Sequence, residues 1–141
     1  MTIEEKVARI TKLQKELSGI INGAIKDHEA KVIEMNVDQQ LKGQDAGGNE
    51  LGNYKPSTAK ARRRKGLQVA FIDLEDTGTY HSKFTLKYKK DRVEVSARKV
   101  SYSKWLSKRW TDLFGLTDDN TKELIKLIEP TINAKVKEIM G

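Results

Sequence analysis

Two short runs of alternating residues near the middle of the chain constrain the fold most. Residues 84–88 alternate apolar and polar side chains, and residues 93–96 do the same after the charged stretch 89–91. Alternation with a period of two places the apolar residues on one face, so the two runs predict a β-hairpin. Both flanks have helical spacing instead. The sequence therefore predicts an α+β fold in which N- and C-terminal helices pack on a small antiparallel sheet.

The first forty residues have the spacing of amphipathic helices. Apolar residues recur at steps of three and four from Ile3 to Ala24, which predicts a helix over about residues 2–25. Thr2 and Glu5 form a predicted capping box. This stripe is typical of a core-facing surface, and its heptad-like spacing would also support pairing with another helix. A second helix is predicted to end at Gly43, with an apolar face formed by Ala30, Ile33, Val37 and Leu41.

The C-terminal residues also predict helices. A third helix is expected to dock the apolar side chains Tyr102, Trp105, Leu106 and Trp110. The final helix should begin after Thr117, with Asp118 and Asp119 adding negative charge to its first turn. Its predicted apolar face consists of Leu124, Ile128, Ile132, Val136 and Ile139. Pro130 lies inside this pattern and predicts a kink or a split.

The length of 141 residues suits one domain. Within it we distinguish helical residues 1–42, a glycine-rich loop 43–58, a basic helix with the hairpin 59–100, and C-terminal helices 101–141. Leu51 and Tyr54 are expected to hold the loop against the body. The loop lacks the lysine–serine/threonine ending of a phosphate loop and the ligand spacing of a calcium loop, which favours a plain connector.

Positive charge is concentrated in the middle of the chain. Residues 55–109 hold 16 of the 27 Lys and Arg residues but only 5 of the 20 Asp and Glu residues. A short helix is predicted from Ala59 to Lys65, capped by Ser57 or Thr58 and ended by Gly66. Contact with phosphate groups or with an acidic partner is a hypothesis for Lys55, Lys60, Arg62, Arg63, Arg64 and Lys65.

This charge supports an alternative function as a nucleic-acid-binding module that contacts phosphates through residues 60–65. Trp105 and Trp110 could stack on bases in such a module. Paired tryptophans at helical spacing are more often core residues, and a basic helix is often only a solvated surface.

The sequence contains few candidate catalytic residues. It contains no cysteine and two histidines. His81 stands beside Ser82, but neighbouring residues of one turn point apart and cannot form a nucleophile–base pair. Asp73, Glu75 and Asp76 are carboxylates only and would at most hold a hard cation weakly. We therefore expect no enzymatic activity, no cofactor and no metal.

The N-terminus lacks the basic start and apolar run of a signal peptide, and no apolar run approaches the roughly 20 residues of a membrane span. We therefore expect a soluble protein made in the cytoplasm, without a membrane partner.

The segment before the hairpin should redirect the chain. Asp76 is expected to accept hydrogen bonds from backbone N–H groups two or three residues on, and Gly78 to take a positive φ. Tyr80 and Phe84 should then reach the core, and Ser82 should satisfy a local backbone group. Aspartic proteases share the Asp-Thr-Gly tripeptide but need two such carboxylates, and this chain has one copy.

The order of these motifs resembles a family of small tail-completion or head–tail-joining (neck) proteins of tailed phages and prophages. The resemblance covers roughly residues 36–128. It rests on Leu51-Gly52-Asn53-Tyr54, the Ser57-Thr58 helix start, Asp76-Thr77-Gly78, the strand pair, and Leu113-Phe114-Gly115-Leu116-Thr117 before a closing helix. This chain departs from the family after the hairpin, since many members continue into further strands and a tyrosine–alanine segment, whereas residues 102–113 here have a helical pattern.

The resemblance implies a non-enzymatic, ring-forming virion subunit that joins the head connector to the tail. Its implied partners are copies of itself and other neck, tail or connector proteins, with non-specific DNA contact as a further expectation because a neck ring surrounds the DNA exit path. Its implied location is the neck or tail of the virion, and the host cytoplasm during assembly. A role in the fold is implied for the signature residues Asp76, Thr77, Gly78, Tyr80, Ser82 and Phe84.

Overall fold

The structure is a computed structural model that describes residues 1–97 and 103–141. The elements in chain order are α1 (Ile3–Asp27), α2 (Glu29–Leu41), α3 (Pro56–Arg64), α4 (Thr79–Ser82), β1 (Phe84–Tyr88), β2 (Val93–Ala97), α5 (Ser103–Arg109) and α6 (Asp118–Met140). The predicted α+β class is confirmed. Tyr102, which the sequence placed on the third helix, lies outside the described residues.

The predicted hairpin is present. β1 and β2 pair antiparallel, with Phe84 opposite Ala97 and Tyr88 opposite Val93. Phe84 and Ala97 are buried at the end of the hairpin that faces the core. The hydroxyl of Tyr88 donates to Glu29 Oε1 at the start of α2 over 3.2 Å. The hairpin is thus joined to the N-terminal half of the chain.

The two terminal helices pack along each other in opposite directions. Near the start of α1, Arg9 Nη1 donates to the carbonyl of Met140 at the end of α6 over 2.7 Å. Near the end of α1, Ala24 packs with Leu124 and Ile128 in the first half of α6. The capping box of Thr2 and Glu5 is confirmed. We call this antiparallel pair of helices the stalk.

Pro130 does not split α6, which continues from Asp118 to Met140. Proline has no backbone N–H, so only the hydrogen bond to the carbonyl of Lys126 is lost. The apolar residues on either side hold the helix against α1, because Ile128 is buried and Ile132 packs on the same cluster. The prediction of a split is therefore wrong, while Thr117 is the N-cap as expected.

Among the described residues, the buried apolar side chains form two clusters. The larger one contains Leu51, Ile72, Tyr80, Phe84, Ala97, Leu106 and Leu113. The smaller one, at the base of the stalk, contains Ala24, Val32, Leu124 and Ile128. Leu51 fixes the glycine-rich loop as predicted, and Tyr80 and Phe84 reach the core as predicted.

The apolar face predicted for α2 is wrong in part. Ala30 is exposed, while Ile33 and Val37 are only partly buried. The buried face is instead formed by Val32, Met35, Asn36, Gln39 and Gln40. The reason is that the loop before α6 crosses this face and brings backbone groups that need partners.

Three side-chain amides of α2 form hydrogen bonds with the backbone groups of that loop. Gln39 Nε2 donates to the carbonyl of Gly115 over 2.8 Å, and Gln39 Oε1 accepts from the Thr117 N–H over 2.9 Å. Asn36 Oδ1 accepts from the Gly115 N–H, and Gln40 Nε2 donates to the carbonyl of Leu113. The amides thus set the point at which α6 begins.

The basic helix α3 begins earlier than predicted. Its N-cap is Lys55, and no side chain caps it. The expected cap by Ser57 or Thr58 is wrong, because Pro56 occupies the first helical position, where its missing N–H costs nothing. Gly66 follows the helix with φ of 75°, as a glycine after a helix end commonly does.

Candidate functional site

Arg62 on α3 points into the protein. Its side chain is 9% exposed and lies 3.1 Å from Asp73 Oδ1, measured from Nη2. Nε donates to the carbonyl of Gln68 over 3.0 Å, and Nη1 donates to the carbonyl of Glu75. The guanidinium also lies over the ring of Tyr54, 4.3 Å from its centre. The predicted role of Arg62 in phosphate or partner contact is therefore wrong, because burial closes it to an external ligand.

Asp73 is the buried counter-charge of Arg62 and a centre of hydrogen bonding. Its Oδ1 accepts from the hydroxyl of Tyr54 over 2.9 Å, and its Oδ2 accepts from Gln68 Nε2 over 2.8 Å. Burial raises the pKa of Tyr54, with the Asp73 carboxylate adding to the rise and its N–H opposing it. This network joins the glycine-rich loop and α3 to the segment before Asp76-Thr77-Gly78. We call the turn at these three residues the signature turn.

The remaining cations of the basic helix stay on the outside. The set that we call the basic surface consists of Lys55, Lys60, Arg63, Arg64 and Lys65, all of them exposed. Lys65 Nζ lies 3.0 Å from Asp76 Oδ1, and both side chains are solvent-accessible. An exposed pair of this kind contributes little to stability. The basic surface is thus a cluster of outward charges on a helix that Arg62 anchors.

The signature turn redirects the chain by a different hydrogen bond than the sequence predicted. Asp76 pairs with Lys65, and the expected bonds from Asp76 to backbone N–H groups do not form within the described residues. Thr77 Oγ1 accepts from the Thr79 N–H instead, over 3.4 Å. Gly78 has φ of 85°, as predicted. Ser82 Oγ donates to the carbonyl of Thr79 over 2.7 Å, which confirms its local role.

Aromatic rings follow the turn into the core. Tyr80 and Phe84 pack edge to face with ring centres 5.3 Å apart, and Phe84 makes a similar contact with Phe114. His81 lies beside Tyr80, 4.9 Å between ring centres. Burial lowers the pKa of His81, and the Asp73 carboxylate only partly opposes this. His81 therefore favours its neutral form in the folded protein.

The two tryptophans have different environments. Trp110 is partly buried, and its Nε1 donates to the carbonyl of Leu51 over 2.9 Å. Trp105 is 57% exposed, which corrects the prediction that the whole aromatic set of this helix docks. The guanidinium of Arg109 lies over the ring of Trp110, 4.3 Å from its centre. Leu106, between the tryptophans, is buried.

The first half of α1 exposes a row of large apolar side chains. Ile3, Val7, Ile10 and Leu17 are 77, 55, 45 and 39% exposed, in that order. We call them the α1 stripe. The prediction that they face the core is wrong, because α6 lies against a neighbouring face of α1 and ends beside Arg9. Four large apolar side chains of one helix are therefore left in contact with solvent.

No arrangement for metal chemistry is present in the described residues, where three or more His, Cys, Asp or Glu side chains nowhere converge. Asp73 faces Arg62, and Asp76 faces Lys65, so the acidic cluster of the turn is divided between two ion pairs. Among residues 1–97 and 103–141, none of the helices combines the length and apolar character of a membrane span.

Comparison of the chain with protein-family models, with curated proteins and with solved structures finds no match. The α1 stripe and the basic surface therefore have to be interpreted from their own geometry. The charge pattern of the sequence indicated the basic surface, whereas the spacing of the α1 stripe predicted a core-facing surface. These patterns gave no signal for Asp73 as the partner of Arg62, since that contact depends on how α3 is placed over the turn.

Proposed function

We propose that this chain is a non-enzymatic structural subunit of a phage particle, at the neck or tail end, which assembles with copies of itself into a ring. The observation that carries the proposal is the α1 stripe, because four large apolar side chains in a row are left in solvent by the chain's own fold. The motif order described above, with its resemblance to neck and tail-completion proteins, supports the particular assembly.

A ring requires contacts that repeat from one copy to the next and close. The test is the mass in solution, measured by light scattering on a sizing column at several protein concentrations and at low and high salt. We expect an oligomer, formed alone or on addition of a connector or tail protein. The salt series separates the modes of contact, because apolar association survives high salt and ionic association does not. A chain that stays monomeric under all these conditions would contradict the proposal.

The basic surface favours a second candidate function, sequence-independent binding of nucleic acid. Arg62 fixes α3 from inside, so the outward side chains of Lys60, Arg63 and Arg64 form a preorganised patch of positive charge. Binding through such a patch falls steeply with salt because condensed counterions are released. In a neck ring, this surface would line the DNA path, and the two functions would then belong to one protein.

This candidate is tested by duplex DNA titrations over a range of salt concentrations. Log K for DNA binding falls as log salt rises. Replacement of Lys60, Arg63 and Arg64 by Ala should make this negative slope shallower by about 3, because each lost phosphate contact accounts for roughly 0.9. The matched control is a triple Ala variant of the exposed lysines Lys122, Lys126 and Lys137 on α6, which should leave the slope unchanged. Equal loss in the two variants would show that net charge alone attracts DNA.

A further inference from the structure

We propose that the α1 stripe packs against the α1 stripe of a second copy of this chain, in a parallel and in-register coiled coil. The inference rests on the proposed function only in requiring that copies associate. The contact it names is two-fold and joins copies in pairs, so a ring would join such pairs through a further surface. It concerns the first half of α1, from Ile3 to Leu17. Beyond Leu17 the seam continues with Ile21, which is half-buried, and Ala24, which is buried.

The spacing of α1 is that of a coiled-coil seam. Apolar residues alternate at steps of four and three, so the helix can be written as heptads whose first and fourth positions are apolar except at Gln14. The fourth positions are Ile3, Ile10, Leu17 and Ala24, and the first positions are Val7, Gln14 and Ile21. This repeat places the whole set on one face of the helix, where a second helix can insert its own side chains.

The seam is covered at one end and open at the other. Ala24 is buried and Ile21 is half-buried, so the last heptad packs within the protomer. The preceding residues of the seam are exposed. The face of α1 beside the seam meets α6 along the stalk, since Arg9 binds the end of α6 and Ile20 lines a groove together with Ile139. The seam itself meets α6 at Ala24, beyond the stripe. A second helix can therefore reach the stripe without displacing α6.

The polar side chain of Gln14 favours a second copy of α1, in parallel orientation, as the partner helix. Gln14 is the polar residue of an otherwise apolar seam, and a purely apolar partner would bury its amide without a hydrogen-bond partner. Parallel pairing of two copies in register places Gln14 opposite the same residue of the second copy, where the two amides can bond to each other. Antiparallel pairing sets first positions of the seam against fourth positions, so the Gln14 amide would face an apolar side chain of the second copy instead of a second amide.

The absence of cysteine from the sequence allows a direct test of register and direction. Val7→Cys introduces a single thiol in the seam, and Lys12→Cys introduces one at an exposed position outside the seam. Under mild oxidation of the folded protein, Val7→Cys should form a disulfide-linked dimer in high yield and Lys12→Cys should not, because a disulfide forms only between close Cβ atoms. Equal yields, or no dimer from Val7→Cys, would overturn the proposal.

A second pair of variants separates this contact from the proposed function. Ile10→Glu places a charge in the seam, while Ala8→Glu places the same charge on the opposite side of the same turn, where Ala8 is exposed. Ile10→Glu should weaken self-association at least tenfold by light scattering, and Ala8→Glu should leave it unchanged; circular dichroism checks that both fold. If Ile10→Glu associates like the unaltered chain, the stripe contact is overturned while a ring built through other surfaces remains. A chain that associates only with connector proteins overturns the stripe contact and leaves the proposed function standing.

Discussion

Arg62 and Asp73 form a buried ion pair, with 3.1 Å between Nη2 and Oδ1 and side chains that are 9% and 3% exposed. The pair connects the basic helix to the segment that leads into the signature turn. A charge in such a site is tolerated because the opposite charge and several hydrogen bonds compensate for its lost hydration. The same helix therefore uses one arginine as an internal anchor and presents the next two to solvent.

Replacement of Arg62 by Ala should destabilise the fold by about 3–5 kcal/mol, because Asp73 would remain buried without its counter-charge. The matched control is Arg63→Ala, an exposed neighbour on the same helix. It should change the free energy of unfolding by less than about 0.5 kcal/mol. Denaturant unfolding of both variants measures the difference, and similar losses in the two would mean that the buried pair has no special role.

Stability should depend on the protonation of His81. Burial lowers its pKa in the folded state below the ordinary value of 6.5, so the unfolded chain binds the proton more readily. The contribution of neutral His81 is complete above the unfolded pKa and is lost as the pH falls through 6.5 towards the lower folded value. His81→Gln should flatten the fall in unfolding free energy between pH 7 and pH 5.

The control for the His81 variant is His28→Gln, which removes the other histidine and leaves His81 in place. Urea unfolding at a series of pH values compares the two variants with the unaltered chain. If the His81 variant loses stability over this range as steeply as the unaltered chain, the pH dependence does not come from His81.

Two glycines should respond to the same substitution in opposite directions. Gly78→Ala should destabilise by about 1–2 kcal/mol, because φ of 85° is unfavourable for a residue with a Cβ atom although the site has space for one. Gly23→Ala should stabilise by about 0.5–1 kcal/mol, because Gly23 lies inside α1 and a Cβ atom there meets nothing within 4 Å. Thermal unfolding of the two variants gives the signs, and a gain in stability for Gly78→Ala would contradict the geometry of the turn.

The amide of Gln39 should contribute more to the free energy of unfolding than an ordinary polar side chain on a helix. It accepts from the Thr117 N–H and from Asn120 Nδ2, and it donates to the carbonyl of Gly115. Gln39→Ala leaves these groups without partners and should cost about 2–3 kcal/mol. The adjacent Asp38 is exposed, so Asp38→Ala should stay within about 0.5 kcal/mol in the same denaturant experiment. A small effect at Gln39 would mean that water replaces the amide.

The elements that depend on local sequence could be predicted. Alternation marks the hairpin of residues 84–97, and the caps at Thr2 and Thr117 follow from side chains that bond their own helix. The positive φ of Gly78 is likewise a local requirement that glycine satisfies. These features are set within a few residues, so the chain carries their signal without reference to the rest of the fold.

The features that depend on tertiary placement could not be predicted. Asn36 and Gln40 are fully buried because a loop more than seventy residues later brings backbone groups to them. Arg62 and Arg63 are equivalent in a charge pattern, and only the position of Asp73 under the helix distinguishes them. The α1 stripe has the pattern of a core-facing surface, and its exposure follows from where α6 lies. The functional proposals remain predictions to be tested by association and binding.

Pro130 gives α6 a position between its two ends at which the helix bends more easily. The first half of the helix, with Leu124 and Ile128, is fixed in the core, while the second half runs beside α1 towards Met140. Helices bend at proline because the carbonyl one turn earlier has no N–H to bind. A bend of α6 should therefore be concentrated within the turn that ends at Pro130. In the proposed assembly, such a bend would let neighbouring copies of the chain meet at slightly different angles.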